Sequence, residues 1–157
     1  MSRCFAPPMH TQTPKEPLAP SLERVLSALA ASACLFITIA VWRSVSAYQA
    51  MWPLPGLYFV ELPAAAILTA LGFFLRVRSA PMLAWIAAGI FGSFAFLGLF
   101  SVGLLYVPIS LMYLLLGVLA VSRRGIPFLE GLLPFLVAAV VQAAFMLFAV
   151  RVLVAGP

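Results

Sequence analysis

Residues 79–122 read SAPMLAWIAAGIFGSFAFLGLFSVGLLYVPISLMYLLLGVLAVS and contain no charged side chain. As a single helix, the apolar part between residues 80 and 121 would be about 63 Å long at 1.5 Å per residue. That is about twice the hydrocarbon thickness of a bilayer, so the stretch predicts two membrane-spanning helices joined by a turn. We expect the turn near residues 100–103, at the membrane surface, because a backbone break deep in lipid leaves polar groups unsatisfied. A re-entrant hairpin over residues 96–106 is the alternative.

The rest of the chain repeats this pattern of apolar runs that end at arginines. Of its 157 residues, 65% are hydrophobic and 8% are charged, whereas globular domains carry about 25% charged residues. We therefore predict an all-α integral membrane bundle of about five transmembrane helices over residues 21–157. Residues 1–20 are polar and rich in proline, which predicts a disordered cytoplasmic tail. The predicted spans are residues 22–42, 54–75, 81–99, 103–121 and 127–150.

The positions of lysine and arginine predict the orientation. With five spans, the amino-terminal tail and the loops at 76–79 and 122–126 lie on one side and hold all the basic residues except Arg43 and Arg151. Basic loops favour the cytoplasmic side. We expect a protein of the cell membrane with its amino terminus in the cytoplasm and its carboxyl terminus outside. The net charge of +5 does not indicate nucleic-acid binding, because the basic residues are scattered along the chain and not clustered.

Glu61 lies well inside the second predicted span. A carboxyl group is costly in lipid, so we expect its side chain to face protein or water. One hypothesis makes it an intramembrane proton, cation or ligand site. The alternative is a structural role, as an ion pair with Arg43 or as a protonated group bonded to a neighbouring helix, and Tyr106 is a candidate partner. The candidate polar site contains Glu61, Arg43, Tyr58, Tyr106 and Gln142.

Small residues recur at helical spacing in the third span. This pattern predicts a surface for close helix contact, either inside the bundle or with another subunit. Small and hydroxyl residues also form stripes on the first and fourth spans. Packing is the favoured interpretation of these stripes, and a polar cavity is the alternative. The predicted packing residues of the third span are Ala84, Ala88, Gly92 and Ala95.

Residue types needed for common catalytic and metal sites are scarce. His10 is the single histidine and the chain has two cysteines, which does not fit the ligand sets of zinc or haem. No glycine-rich phosphate loop or Ser/His/Asp set occurs. We therefore expect no metal, no cofactor and no enzymatic activity.

Two segments carry a resemblance to known proteins. Residues 52–61, WPLPGLYFVE, and residues 98–108, GLFSVGLLYVP, resemble a pattern in small multi-pass membrane proteins of bacteria. The similarity covers roughly residues 42–120. That group has no assigned activity, so the resemblance implies a bacterial origin and no functional residue.

These observations favour a non-catalytic multi-pass membrane protein, either an accessory subunit of a larger complex or a small homo-oligomer. Its expected partners are the lipid bilayer and other membrane subunits or further copies of itself, and not nucleic acid. The alternative is a small transporter or channel-like protein in which Glu61 is the proton, cation or ligand site. A third, weaker hypothesis is a membrane enzyme or a lipid-binding protein that uses the polar cluster.

Overall fold

The computed structural model describes residues 19–46, 54–99 and 101–155, and this part of the chain is helical apart from short turns. The prediction of an all-α fold is confirmed. The elements are α1 (Ala19–Ser46), α2 (Leu54–Phe74), α3 (Ala80–Leu97), a short 3₁₀ helix (Val102–Tyr106), α4 (Val107–Arg124) and α5 (Phe128–Ala155).

All five α-helices are long and apolar enough to cross a membrane. The shortest, α3, has 18 residues and is therefore about 27 Å long, close to the hydrocarbon thickness of a bilayer. Polar residues mark the helix ends, and the described part of the chain has no domain outside the bundle. The chain is a multi-pass membrane protein.

The helix ends differ from the predicted bounds by a few residues. The last helix continues to Ala155, beyond the predicted end at residue 150, and α1 already includes Ala19 and Pro20. The predicted tail otherwise lies outside the described residues, as do residues 47–53. Hydrophobicity marks the lipid-crossing part of a helix, but a helix continues past that part until a capping or turn residue ends it.

The turn between α3 and α4 depends on two glycines. The amide of Gly103 donates to the carbonyl oxygen of Gly98 at 2.9 Å, and a Cβ on Gly103 would lie 2.5 Å from the carbonyl carbon of Gly98. The rings of Phe94 and Tyr58 are 5.7 Å apart, which puts the end of α3 level with the beginning of α2. The turn is therefore at the end of the bundle, which favours the predicted surface turn over the re-entrant hairpin.

Helix α3 is the centre of the bundle. Eleven of its 18 residues are buried, and it packs against α2, α4 and α5. By contrast, Gly131 and Gln142 are the buried residues among those of α5 whose burial the structure describes. Helix α5 therefore lies at the periphery and is held mainly by α3.

The small residues predicted for close packing lie inside the bundle. Ala84, Ala88 and Ala95 are buried, and a Cβ on Gly92 would lie 3.3 Å from the hydroxyl oxygen of Ser110 on α4. The Ser110 hydroxyl donates to the carbonyl oxygen of Ala88 at 3.1 Å. Among the two possibilities left by the sequence, the structure shows an internal contact between α3 and α4.

Candidate functional site: a lateral cleft between α2, α3 and α5

The structure brings together two of the predicted polar residues from distant parts of the chain. The side-chain amide of Gln142 on α5 donates to a carboxyl oxygen of Glu61 on α2 at 3.1 Å. Gln142 is 4% exposed, whereas Glu61 is half-buried. The carboxyl group of Glu61 thus faces a protein partner on one side and remains accessible on the other.

Close packing of α3 on α5 positions the Gln142 side chain. A Cβ on Gly89 would lie 2.5 Å from the carbonyl oxygen of Phe135, so the two backbones touch at this point. One turn further along α3, the Ser93 hydroxyl donates to the carbonyl oxygen of Ala139 at 2.8 Å. Gln142 is three residues beyond Ala139 and on the same face of α5, so this contact directs it toward α2.

Beside the Glu61–Gln142 pair is a cavity of about 560 Å³, here called the lateral cleft. Its walls are apolar side chains of α3 and α5, and Glu61 and Gln142 are its polar residues. Several wall residues are more than half exposed on the outer surface, so the cleft opens sideways toward lipid. The apolar walls include Met82, Ile86, Ile90, Leu133, Val137 and Val141.

The cleft combines apolar walls with the carboxyl group of Glu61, which can form hydrogen bonds whether or not it is ionised. Within the described residues, Gln142 is the hydrogen-bond partner of the Glu61 carboxyl group, and it contacts one of the two oxygens. The other oxygen is available to a molecule in the cleft. A carboxylate accepts hydrogen bonds and attracts cations, and both effects are stronger where water is excluded.

A second polar group near Glu61 has an unused hydrogen-bonding capacity. The Tyr58 hydroxyl is buried and has no hydrogen-bond partner among the described residues. It lies three residues before Glu61 on α2, which is about one helical turn. Buried polar atoms of this kind are rare, although Tyr58 is not among the residues that line the cleft.

The other two predicted members of the polar site lie elsewhere. Arg43 is exposed and lines a separate cavity with Phe59 and Pro63. Each of these two residues is two positions from Glu61, about 200° around the helix, so Arg43 is on the opposite side of α2. The ion pair between Arg43 and Glu61 considered from the sequence is not formed.

Tyr106 is also directed away from Glu61. Its hydroxyl is 3.0 Å from the hydroxyl of Thr38 on α1, and its ring packs on Phe91 and Phe94. The 3₁₀ helix places Tyr106 in the interface with α1, so Tyr106, a candidate partner of Glu61, contacts Thr38 instead. The stripes of α1 and α4 meet here and form a packing contact.

The apolar walls of the cleft have no signal in the sequence. Met82, Ile86 and Ile90 resemble the lipid-facing residues of any membrane helix. Gly89, where α3 and α5 touch, is also absent from the packing residues predicted above, although a glycine in an apolar span often marks a close helix contact. The pairing of helix faces, and not the residue types, creates the cleft.

Comparisons with protein-family models, with curated proteins and with solved structures find no match for this chain. The resemblance of residues 52–61 and 98–108 to small bacterial membrane proteins therefore stays a prediction.

Proposed function

We propose that this protein is a non-catalytic membrane protein that binds a lipophilic molecule in the lateral cleft. The observation that carries this proposal is the half-buried Glu61 carboxyl group, fixed by Gln142 at the side of an apolar cavity. We further propose the cell membrane of a bacterium as its location, with the amino terminus in the cytoplasm.

The chemistry of the cleft favours a molecule with an apolar body and a cationic head that donates hydrogen bonds. A volume of about 560 Å³ is within the usual range for small-molecule sites, which are mostly apolar with a few polar groups that set the orientation. An amine at the free oxygen of Glu61 would form a charge-assisted hydrogen bond. The lateral opening allows entry from the bilayer without passage through water.

Transport through the bundle has less support than binding. A path for protons or ions needs a chain of free polar groups or a water-filled cavity. Several hydroxyl groups inside this bundle are instead bonded to backbone carbonyls: Thr69 to Ala65 and Tyr113 to Ala66. The Tyr113 bond joins α4 to α2, whereas the Thr69 bond lies within α2. Neither hydroxyl is left over for a transport path, so the Glu61 site is better explained as a binding site.

A second candidate function is that of an accessory subunit or a small homo-oligomer, as expected from the sequence. The observation that favours it is the position of α5, which has 28 residues but contacts mainly α3. A helix with so few buried residues gains stability from a neighbour in the membrane. In this case, the lateral cleft would lie close to the subunit interface.

Native mass spectrometry of the protein after gentle extraction separates these two functions. For ligand binding, dodecylamine is the probe and dodecanoic acid, with the same chain and the opposite head charge, is the comparison. We expect the amine to bind, and Glu61→Gln to weaken its binding at least about tenfold, because the substitution removes a charge-assisted hydrogen bond.

Glu130→Gln is the matched control, because Glu130 is exposed in the first turn of α5 and does not line the lateral cleft. This variant loses the same charge and should bind the amine as the unmodified protein does. Equal binding of the amine and the acid, or equal effects of the two substitutions, would refute the binding proposal. Recovery of stable complexes with other subunits, and no amine binding, would instead support the accessory role.

A further inference from the structure

Three arginines from separate elements surround a second cavity. It lies at the end of the bundle opposite the turn between α3 and α4. Arg24 is in the first turns of α1, Arg76 is in the loop after α2, and Arg124 is the last residue of α4. Together with Glu23 and Phe73 they line a cavity of about 260 Å³, here called the arginine pocket. The sequence indicated these arginines only as markers of membrane orientation.

The charges around the arginine pocket are strongly unbalanced. Glu23 is its one acidic lining residue among those described, and its carboxyl group is 3.2 Å from a guanidinium nitrogen of Arg123, outside the pocket. The three arginines of the pocket have no other carboxylate in the lining. Among the described residues, the pocket therefore has an excess of positive charge and more N–H donors than acceptors in its lining.

The backbone holds one of these arginines in place and has an unusual conformation at a second. A guanidinium nitrogen of Arg124 donates to the carbonyl oxygen of Arg78 at 2.9 Å, which fixes this side chain near the loop. Arg76 has a φ of 55°, in the left-handed region where glycine or asparagine usually ends a helix. This conformation strains a non-glycine residue, and position 76 nonetheless carries an arginine.

We propose that the arginine pocket binds a phosphate group. Guanidinium groups match the geometry of phosphate oxygens and donate to them in pairs, and basic pockets between transmembrane helices bind the head groups of anionic lipids. The phosphate could come from such a lipid or from a soluble phosphate compound. An apolar surface beside the pocket suits lipid chains, with Leu22, Val25, Phe74 and Leu75 all about half exposed or more.

The test is lipid binding measured by native mass spectrometry on the full chain in detergent, with dioleoylphosphatidylglycerol as the probe. We expect Arg76→Gln and Arg24→Gln each to weaken its binding about five- to tenfold. Arg24→Gln is on a regular helix, so it tests the pocket even if Arg76→Gln disturbs the loop. The matched control is Arg78→Gln, which removes the same charge two residues away and outside the pocket.

Two further arms identify the source of the phosphate. Bound lipid that resists millimolar inorganic phosphate supports a lipid head group, whereas displacement by inorganic phosphate supports a soluble phosphate compound in the same pocket. The proposal is overturned if Arg78→Gln weakens lipid binding as much as the pocket variants do, because the arginines would then act only as general surface charge. It is also overturned if none of the three substitutions changes binding.

Discussion

Replacing Trp85 with alanine is expected to lower the free energy of unfolding by roughly 2–3 kcal/mol. In soluble cores such truncations cost about 3–5 kcal/mol, which includes both the transfer of the side chain to water and the cavity left behind. Only the cavity contribution applies in a membrane. Trp85 is 1% exposed, and its indole fills a space that Gly117 and Gly131 leave between α4 and α5. Its ring also makes edge contacts with Phe128 and Phe135. In a membrane, lost packing contacts and not lost burial from water cause the effect.

Trp85→Phe is the control for this prediction. The indole nitrogen has no hydrogen-bond partner within the described residues, so phenylalanine removes volume but no hydrogen bond. We expect it to cost less than half as much as alanine, measured by unfolding in mixed micelles with a denaturing detergent. Equal losses for both variants would mean that the indole nitrogen is bonded in the folded protein. No loss for alanine would mean that α5 does not pack on Trp85.

The second large effect concerns two glycines of α3 that differ in what they contact. In Gly89→Ala the new methyl group would lie 2.5 Å from the carbonyl oxygen of Phe135, and a backbone atom can move away only if α5 moves with it. We expect destabilisation of about 1–3 kcal/mol, as for other overpacked interiors. The movement of α5 would also shift Gln142 relative to Glu61 and weaken amine binding in the cleft.

Gly92→Ala is the matched substitution, one turn along the same helix. Its methyl group would lie 3.3 Å from the hydroxyl oxygen of Ser110, which can rotate away. Since alanine favours a helix over glycine by up to about 1 kcal/mol, we expect this variant to be as stable as the unmodified protein or more so. Thermal unfolding of both variants decides the matter: similar midpoints would contradict the close contact of α3 with α5.

The fold class could be predicted because charges and apolar runs follow directly from the cost of polar groups in lipid. Residues 79–122 require two spans whatever the neighbouring helices do. The arginine-bearing segments, predicted to share one side of the membrane, lie at one end of the bundle: Arg123 contacts Glu23 on α1, and Arg124 contacts the loop before α3.

The candidate site could be predicted only in part. The sequence marks Glu61 and Gln142 as polar groups within apolar spans, but their contact depends on how α5 packs on α3 through Gly89. Arg43 lies near the same end of the bundle as Glu61, but it faces the opposite side of α2 and cannot pair with it. A sequence shows which face of each helix is polar or carries small residues. Which helix packs on that face follows from the steric fit between the two helices along their whole length.

The most direct test of the five-span bundle uses four exposed serines at helix ends, Ser46, Ser79, Ser101 and Ser122. Each is replaced singly by cysteine in a variant without the two native cysteines, and intact cells are treated with a membrane-impermeant maleimide. Five spans with a cytoplasmic amino terminus predict labelling at 46 and 101, and labelling at 79 and 122 only after the membrane is permeabilised. Equal labelling of all four positions in intact cells, or the same result at 101 as at 79 and 122, would contradict the bundle described above.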